Sequence, residues 1–215
     1  MVQSPHQSTL GRPVNEEARA LRREQILAGA RTCFLRKGFH AASTAEISAE
    51  AKVSVANLYQ YFETKDDLVR ALIDDDLAGD LELVEAVEAA GSFREGLEMA
   101  NRLLTSDFDV VQDSRLRLEI LAEASRNPAI AAVVKAADDH LVRVLGGLIE
   151  RYQAKGELSS DFAPETAARL IVSLYDGMIG RFAFGLGDTE QLIAAADRFV
   201  FQALAAVKAP PLPIA

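Results

Sequence analysis

Helix-start signals follow one another so closely near residue 50 that only very short helices fit between them. Ser43-Thr44-Ala45-Glu46 is a capping box, in which the Ser43 hydroxyl caps a backbone amide and Glu46 reaches back to the cap residue. Ser54 can cap a further helix, and Thr64 with Asp67 another. The two helices between these caps have about two turns each, too short to survive in water alone. They need an apolar platform. Ile47, Ala51, Val53, Leu58 and Phe62 are the residues they can bury, against a preceding helix and against Leu68 and Leu72 of the following one. Two short helices joined by a tight turn on a three-to-four-helix core make a helix-turn-helix.

The preceding helix is predicted from about Asn15 to Lys37. Ile26, Ala30, Cys33 and Phe34 form one stripe along it, and Gly38 suits a left-handed stop. Beyond residue 65 the periodicity stays helical, with no convincing alternating strand. Helices are expected at roughly 65–89, 92–112, 114–126, 128–155, 164–185 and 189–208, punctuated by Gly91-Ser92, Asn127-Pro128, Ala163-Pro164 and Gly185-Leu186-Gly187-Asp188. The expected fold is all-α: nine helices, a helix-turn-helix head on a C-terminal helical bundle, assembled as a two-fold homodimer. The expected divisions are a flexible arm over 1–14, the helix-turn-helix head over 15–65, a helical body over 66–208, and a flexible tail over 209–215.

Charge separates the same two parts. Residues 1–65 hold 9 Lys and Arg against 6 Asp and Glu, or +3; residues 66–215 hold 14 against 26, or −12; the two sum to the formal −9. A basic end on an acidic body fits a nucleic-acid-facing head whose body is held away from phosphate. The single cysteine, Cys33, excludes an internal disulfide and suits a reducing compartment. No apolar run is long enough for a membrane span, and the first residues lack the core of a signal peptide, so a cytoplasmic protein is expected.

In a helix-turn-helix the first turn of the second helix lies nearest the base edges. Here that turn is Val55, Ala56 and Asn57, with Tyr59 next to it. Asn57 can both donate to and accept from adenine, and the apolar pair can meet thymine methyls. Thr44, Lys52, Tyr61 and Lys65 are the expected phosphate contacts, through hydroxyl tips, cations and the exposed amides of a helix start. Phe62 is expected to anchor the helix end in the core.

Ser43-Thr44, Ile47, Ala51, Val53-Ser54, Leu58-Tyr59, Tyr61-Phe62, Lys65 and Leu68 together resemble the DNA-binding signature of the TetR family of bacterial regulators. Ile26, Ala30, Phe34, Gly38 and Phe39 extend the likeness upstream. Downstream, AEASRNPAI and SLYDGMIGR are similar to a subgroup of the family. The resemblance implies an all-α homodimer, a palindromic double-stranded DNA operator, and a C-terminal pocket whose ligand releases DNA. Two positions depart from the pattern: Lys52 stands where the family has a turn glycine, and Ser48 where it has alanine.

In the body, Asp176 and Arg181 are the only charges between Leu170 and Gly187. A carboxylate in so apolar a helix must be paired, hydrogen-bonded or poised for a cation. Asp176 with Tyr175, together with Glu119, Ile120 and Glu123, is therefore the expected pocket. The alternatives are that Arg181 neutralises Asp176, and that Arg115 and Arg126 form a surface ladder with the two glutamates. Met178, Phe182, Leu192, Phe199 and Ala203 are expected at the dimer interface, because the last two helices are apolar on more than one face. His6, His40 and His140 are scattered, and neither nucleophile motif nor phosphate loop occurs, so no enzyme, cofactor or metal is expected. The leading expectation is a repressor released by a small apolar or aromatic effector, with a cationic one favoured over an anionic one. The alternative is an architectural or partner-recruiting DNA-binding protein without an inducer.

Overall fold

The computed structural model describes residues 16–106 and 109–205. The expected arm over 1–14 and tail over 209–215 lie outside the described residues. Within them the order is α1 (Glu16–Ala41), α2 (Thr44–Glu50), α3 (Val55–Tyr59), α4 (Lys65–Ala89), α5 (Phe93–Ser106), α6 (Val110–Ala124), α7 (Pro128–Ala154), α8 (Pro164–Phe184) and α9 (Thr189–Leu204). No strand occurs among the described residues beyond one isolated bridge, Leu158 with Ala205.

The caps act as their sequence suggests. Ser43 accepts from Glu46 N and the Glu46 carboxylate returns to Ser43 N at 3.0 Å. Ser54 accepts from Asn57 N at 3.1 Å, and Thr64 and Asp67 close a second reciprocal box. Gly38 leaves helical geometry at φ 75°, and one further turn carries α1 to Ala41. One boundary differs from expectation: Asp109 is not helical, and α6 begins at Val110. The Asp109 side chain caps α6 by accepting from Gln112 N at 3.1 Å, which ends the apparently continuous pattern there.

The short α2 and α3 are held by burial. Ile47 and Leu58 are fully inaccessible and share a core with Ile26, Ala30, Phe34, Phe62, Leu68 and Leu72. Each such aliphatic side chain contributes about 1.5–3 kcal/mol, enough to offset the cost of ordering two-turn helices. Gly29 of α1 lets the turn approach: a Cβ there would lie 2.9 Å from the Ala51 backbone nitrogen. Lys52, in the turn, is left-handed at φ 54°, a conformation that favours glycine. Ser48 is buried, and its hydroxyl has no hydrogen-bond partner among the described residues.

This core does not stop at residue 65. Leu116 and Ile120 of α6 and Ile130 of α7 belong to it, so the head rests directly on the body. The body has a second core from α4, α5, α7, α8 and α9, where Phe93 and Tyr152 meet edge to face at 5.3 Å. The Tyr152 hydroxyl donates to Val87 O at 2.9 Å, which satisfies it in a buried setting. A third cluster, Met178, Phe182, Ile193 and Ala196, joins α8 to α9.

Candidate nucleic-acid interface and ligand cavity

The α2–α3 surface presents most of the residues expected to meet DNA. Lys52, Val55, Ala56 and Tyr59 are exposed, while Leu58 and Phe62 point into the core. The Asn57 side-chain amide donates to Gln60 Oε1 at 3.1 Å, so Gln60 shares this face with it. The Thr44 and Tyr59 hydroxyls approach to 3.4 Å across the gap between α2 and α3. Tyr61 is half-buried against the head core, with the Arg19 guanidinium 5.9 Å from its ring centre. Arg23 lies over Phe62 in the same way, at 5.6 Å. Gln60, Arg19 and Arg23 were missed by the sequence reading. The signal for Gln60 was its i+3 spacing from Asn57, whereas the arginine contacts join α1 to Tyr61 and Phe62, just beyond α3.

Lys65 requires a correction. Its ammonium donates to Phe39 O at 2.6 Å, His40 O at 3.3 Å and Ala42 O at 3.0 Å, and sits 4.5 Å from the Phe39 ring centre. All three hydrogens are used on the carbonyls that end α1, which leaves none for a phosphate. Burial lowers its pKa. Lys65 thus ties α4 to the end of α1.

Glu119 and Glu123 are corrected for a similar reason. Glu119 accepts from Phe39 N at 3.3 Å and lies against Gly38. Glu123 is only 3 % exposed and gathers His40 Nε2 at 2.9 Å, Arg126 Nε at 3.4 Å and Asn127 Nδ2 at 3.2 Å. Asn127 also donates to Asp66 at 3.0 Å. Both glutamates seat the head on α6, away from the cavity between the body helices. Arg126 does pair with Glu123, whereas Arg115 donates to Ala183 O at 3.2 Å.

That cavity, of about 270 Å³, lies between α4, α5, α6, α7, α8 and α9. Its walls are largely aliphatic and aromatic, with Leu83, Val87, Phe93, Leu104, Ile171 and Phe182 among them. Tyr175 and Asp176 line it. Ile120 lines an adjoining cavity of about 450 Å³. The two share Asp76, Asp80, Arg117 and Asp176, which form a charged partition between apolar spaces. Arg117 Nη2 donates to Asp80 Oδ1 at 2.6 Å, and its Nε is 3.7 Å from Asp76 Oδ2.

Asp176 has no hydrogen bond or ion pair among the described residues; Arg117 is the nearby cation, and Arg181 is not involved. On the α9 side, the Asp197 carboxylate accepts from Asn101 Nδ2 at 2.7 Å and from the Tyr175 hydroxyl. In all, Asp75, Asp76, Asp80, Asp113, Asp176 and Asp197 face two cations, Arg31 and Arg117. Burial raises the pKa of Asp76 to about 6 and pushes up those of Asp75, Asp113, Asp176 and Asp197. The Tyr175 hydroxyl is pushed up too, by burial and then by Asp197. Such a site disfavours a further negative charge and favours a positive one.

Two interface expectations are corrected. Met178 and Phe182 are buried within their own protomer, where they form the third core cluster, and Phe182 also lines the cavity. Leu192 is half-buried against that cluster. Phe199, 64 % exposed, and Ala203 remain on the surface, as do Leu170, Phe184 and Leu186.

Residues 26–72 match the family described as bacterial regulatory proteins, tetR family. Residues 94–205, more than half of the chain, match the BetI-type transcriptional repressor C-terminal family. The chain belongs to the TetR family of bacterial regulators. The TetR fold seen here is that of ligand-responsive, DNA-binding transcriptional repressors, and the family is one of regulators, not enzymes. The chain is 29 % identical to the HTH-type transcriptional regulator UidR of Escherichia coli K12, over 73 % of this chain and 79 % of that one. It is 28 % identical to the HTH-type transcriptional repressor AcnR of Corynebacterium jeikeium, over 89 % and 96 %. Salmonella enterica GusR has a similar structure, with a TM-score of 0.73 at 26 % identity, covering 92 % of this chain and 99 % of that one. Among the described residues of this TetR-family chain, no helix is long and apolar enough to cross a membrane.

Proposed function

We propose that the chain works in the cytoplasm, binds a palindromic operator as a two-fold homodimer, and is released by a small apolar or aromatic molecule bearing positive charge. The α2–α3 face supplies base contacts from Val55, Ala56, Asn57 and Tyr59, and phosphate contacts from Thr44, Lys52 and Tyr61. The exposed Phe199 and Ala203, with Leu170, Phe184 and Leu186, support a surface for the second copy. Asn57→Ala is expected to re-rank operator variants by about 1–3 kcal/mol at particular bases. Lys65→Met should instead leave the ranking of operator variants unchanged and cost about 2 kcal/mol of stability, since three carbonyls lose a charged donor. Binding titrations across operator variants, alongside thermal melts, check both. An unchanged ranking in Asn57→Ala would remove it from base reading.

The observation that carries the effector class is the unpaired Asp176 in an apolar cavity with more carboxylates than cations. A ligand cation gains from carboxylates that are already desolvated, whereas an anion meets repulsion that water does not screen. The test is calorimetry with benzyltrimethylammonium, benzyl alcohol and benzoate on wild type and Asp176→Asn. The cation should bind best, and the substitution should weaken it about tenfold, or about 1.4 kcal/mol. Tightest binding by benzoate, or an unchanged cation affinity in Asp176→Asn, would overturn this reading.

A further inference from the structure

One wall of the cavity is not supplied by the body. Arg31 lies on α1, the first helix of the DNA-binding head, yet it lines the cavity, and its Nη1 donates to Asp113 Oδ1 at 2.9 Å. Asp113 is in the first turn of α6. Asp75 and Asp76 of α4 also feel the Arg31 charge. The head thus places a cation of its own among the carboxylates of the ligand cavity.

The opposite face of α1 holds the helix-turn-helix. Gly29, two residues from Arg31 and about 200° around the helix, lies against Ala51 at the end of α2. One turn earlier, Gln25 Nε2 donates to Ala51 O at 2.6 Å. A movement of α1 at Arg31 is therefore passed to the turn before the recognition helix within one helix diameter. The Arg31–Asp113 pair suits a replaceable contact. Both side chains are 31 % exposed, and partly hydrated pairs of this kind hold weakly enough for a competitor to displace them.

We propose that Arg31 is an internal competitor for the effector site: a cationic effector takes its place at Asp113 and, by freeing α1, loosens the helix-turn-helix. This rests on the cationic reading above and adds the route by which the ligand acts. The ligand shifts the equilibrium because it competes with Arg31 only in the state where α1 is docked, which supplies the differential affinity that a shift needs.

The test uses DNA-free full-length protein and benzyltrimethylammonium, followed by calorimetry and by hydrogen exchange of the amides of residues 44–62. In wild type the cation should speed exchange in this segment. In Arg31→Met exchange should be raised before any cation is added, with no further response. The cation should also bind about three- to tenfold more tightly, because its competitor is gone. Arg31→Lys should restore the response. Asp113→Asn should likewise raise exchange without ligand but bind the cation more weakly. A wild type that binds no cation overturns the cationic reading itself. Binding in wild type, with an exchange response that persists in Arg31→Met or an affinity that fails to rise, overturns this inference alone. A merely structural role for Arg31 would loosen the segment without tightening ligand binding.

Discussion

Arg117→Met is expected to destabilise the protein by about 3 kcal/mol, because it strips the cation from a cluster of desolvated carboxylates. Arg117 stands between Asp80 and Asp76, and the Asp176 carboxylate also acts on it. Removing one partner of such a cluster leaves desolvated carboxylates facing each other, which costs more than the pairing was worth. The side chain retains 28 % of its surface, turned to the cavities it divides, so the loss falls at the lower end for a buried pair. In a chain of this size that corresponds to a melting temperature lower by roughly 6–12 °C. Adding Asp80→Asn to Arg117→Met should recover much of the loss, because the repulsion goes with the charge. Chemical denaturation of the single and double variants checks this. If Arg117→Met melts with wild type, the partition contributes nothing to the fold.

Asp76→Asn is expected to act in the opposite direction, and only above acidic pH. Burial first, then Asp80 and Asp113, raise the Asp76 pKa from 3.8 to about 6, against the lowering effect of Arg117 and Arg31. The folded state therefore holds the proton more tightly than the unfolded chain. The resulting stabilisation is complete below about pH 4 and is lost as pH rises through about 6, a difference of up to about 3 kcal/mol. At pH 7.5 Asp76→Asn should exceed wild type by about that amount, and the advantage should vanish near pH 4. A destabilising carboxylate in a cavity wall fits a site kept for binding at the expense of stability. The same titration gives a binding signature: wild-type affinity for benzyltrimethylammonium should rise between pH 5 and 7.5, and the rise should be blunted in Asp76→Asn. Melts of both proteins at pH 4.5, 6 and 7.5 decide the matter. An advantage of equal size at all three would mean that Asp76 is ionised throughout and that burial does not govern it.

Much of the head could be read from the amino-acid order, because its determinants are local. Ser43 with Glu46, Ser54 with Asn57, and Thr64 with Asp67 all close within three residues. The apolar stripe from Ile26 to Phe34 set the face on which the short helices rest. Asp176 stood out for a related reason: a lone carboxylate in an apolar helix is conspicuous wherever that helix packs.

What the order of residues could not supply was the partner of each charge and the use of each second apolar face. Lys65 looks like a phosphate-binding cation until α1 ends beside it and takes all its hydrogens. Glu119 and Glu123 share a helix with Arg117 and Asp113, yet the first pair seats the head while the second lines the cavity. That difference depends on the rotation of α6 between its neighbours, which periodicity along one helix leaves open. Met178 and Phe182 were as apolar as an interface requires, but α9 covers them within the protomer and leaves Phe199 outside. Arg31 gave no sign in the sequence of belonging to a ligand cavity, because its acceptor lies 82 residues away. Capping and helix periodicity act over three or four residues and are written into the chain. Ion pairing and burial between helices act across tens of residues, and only packing in three dimensions chooses among the partners that the composition allows.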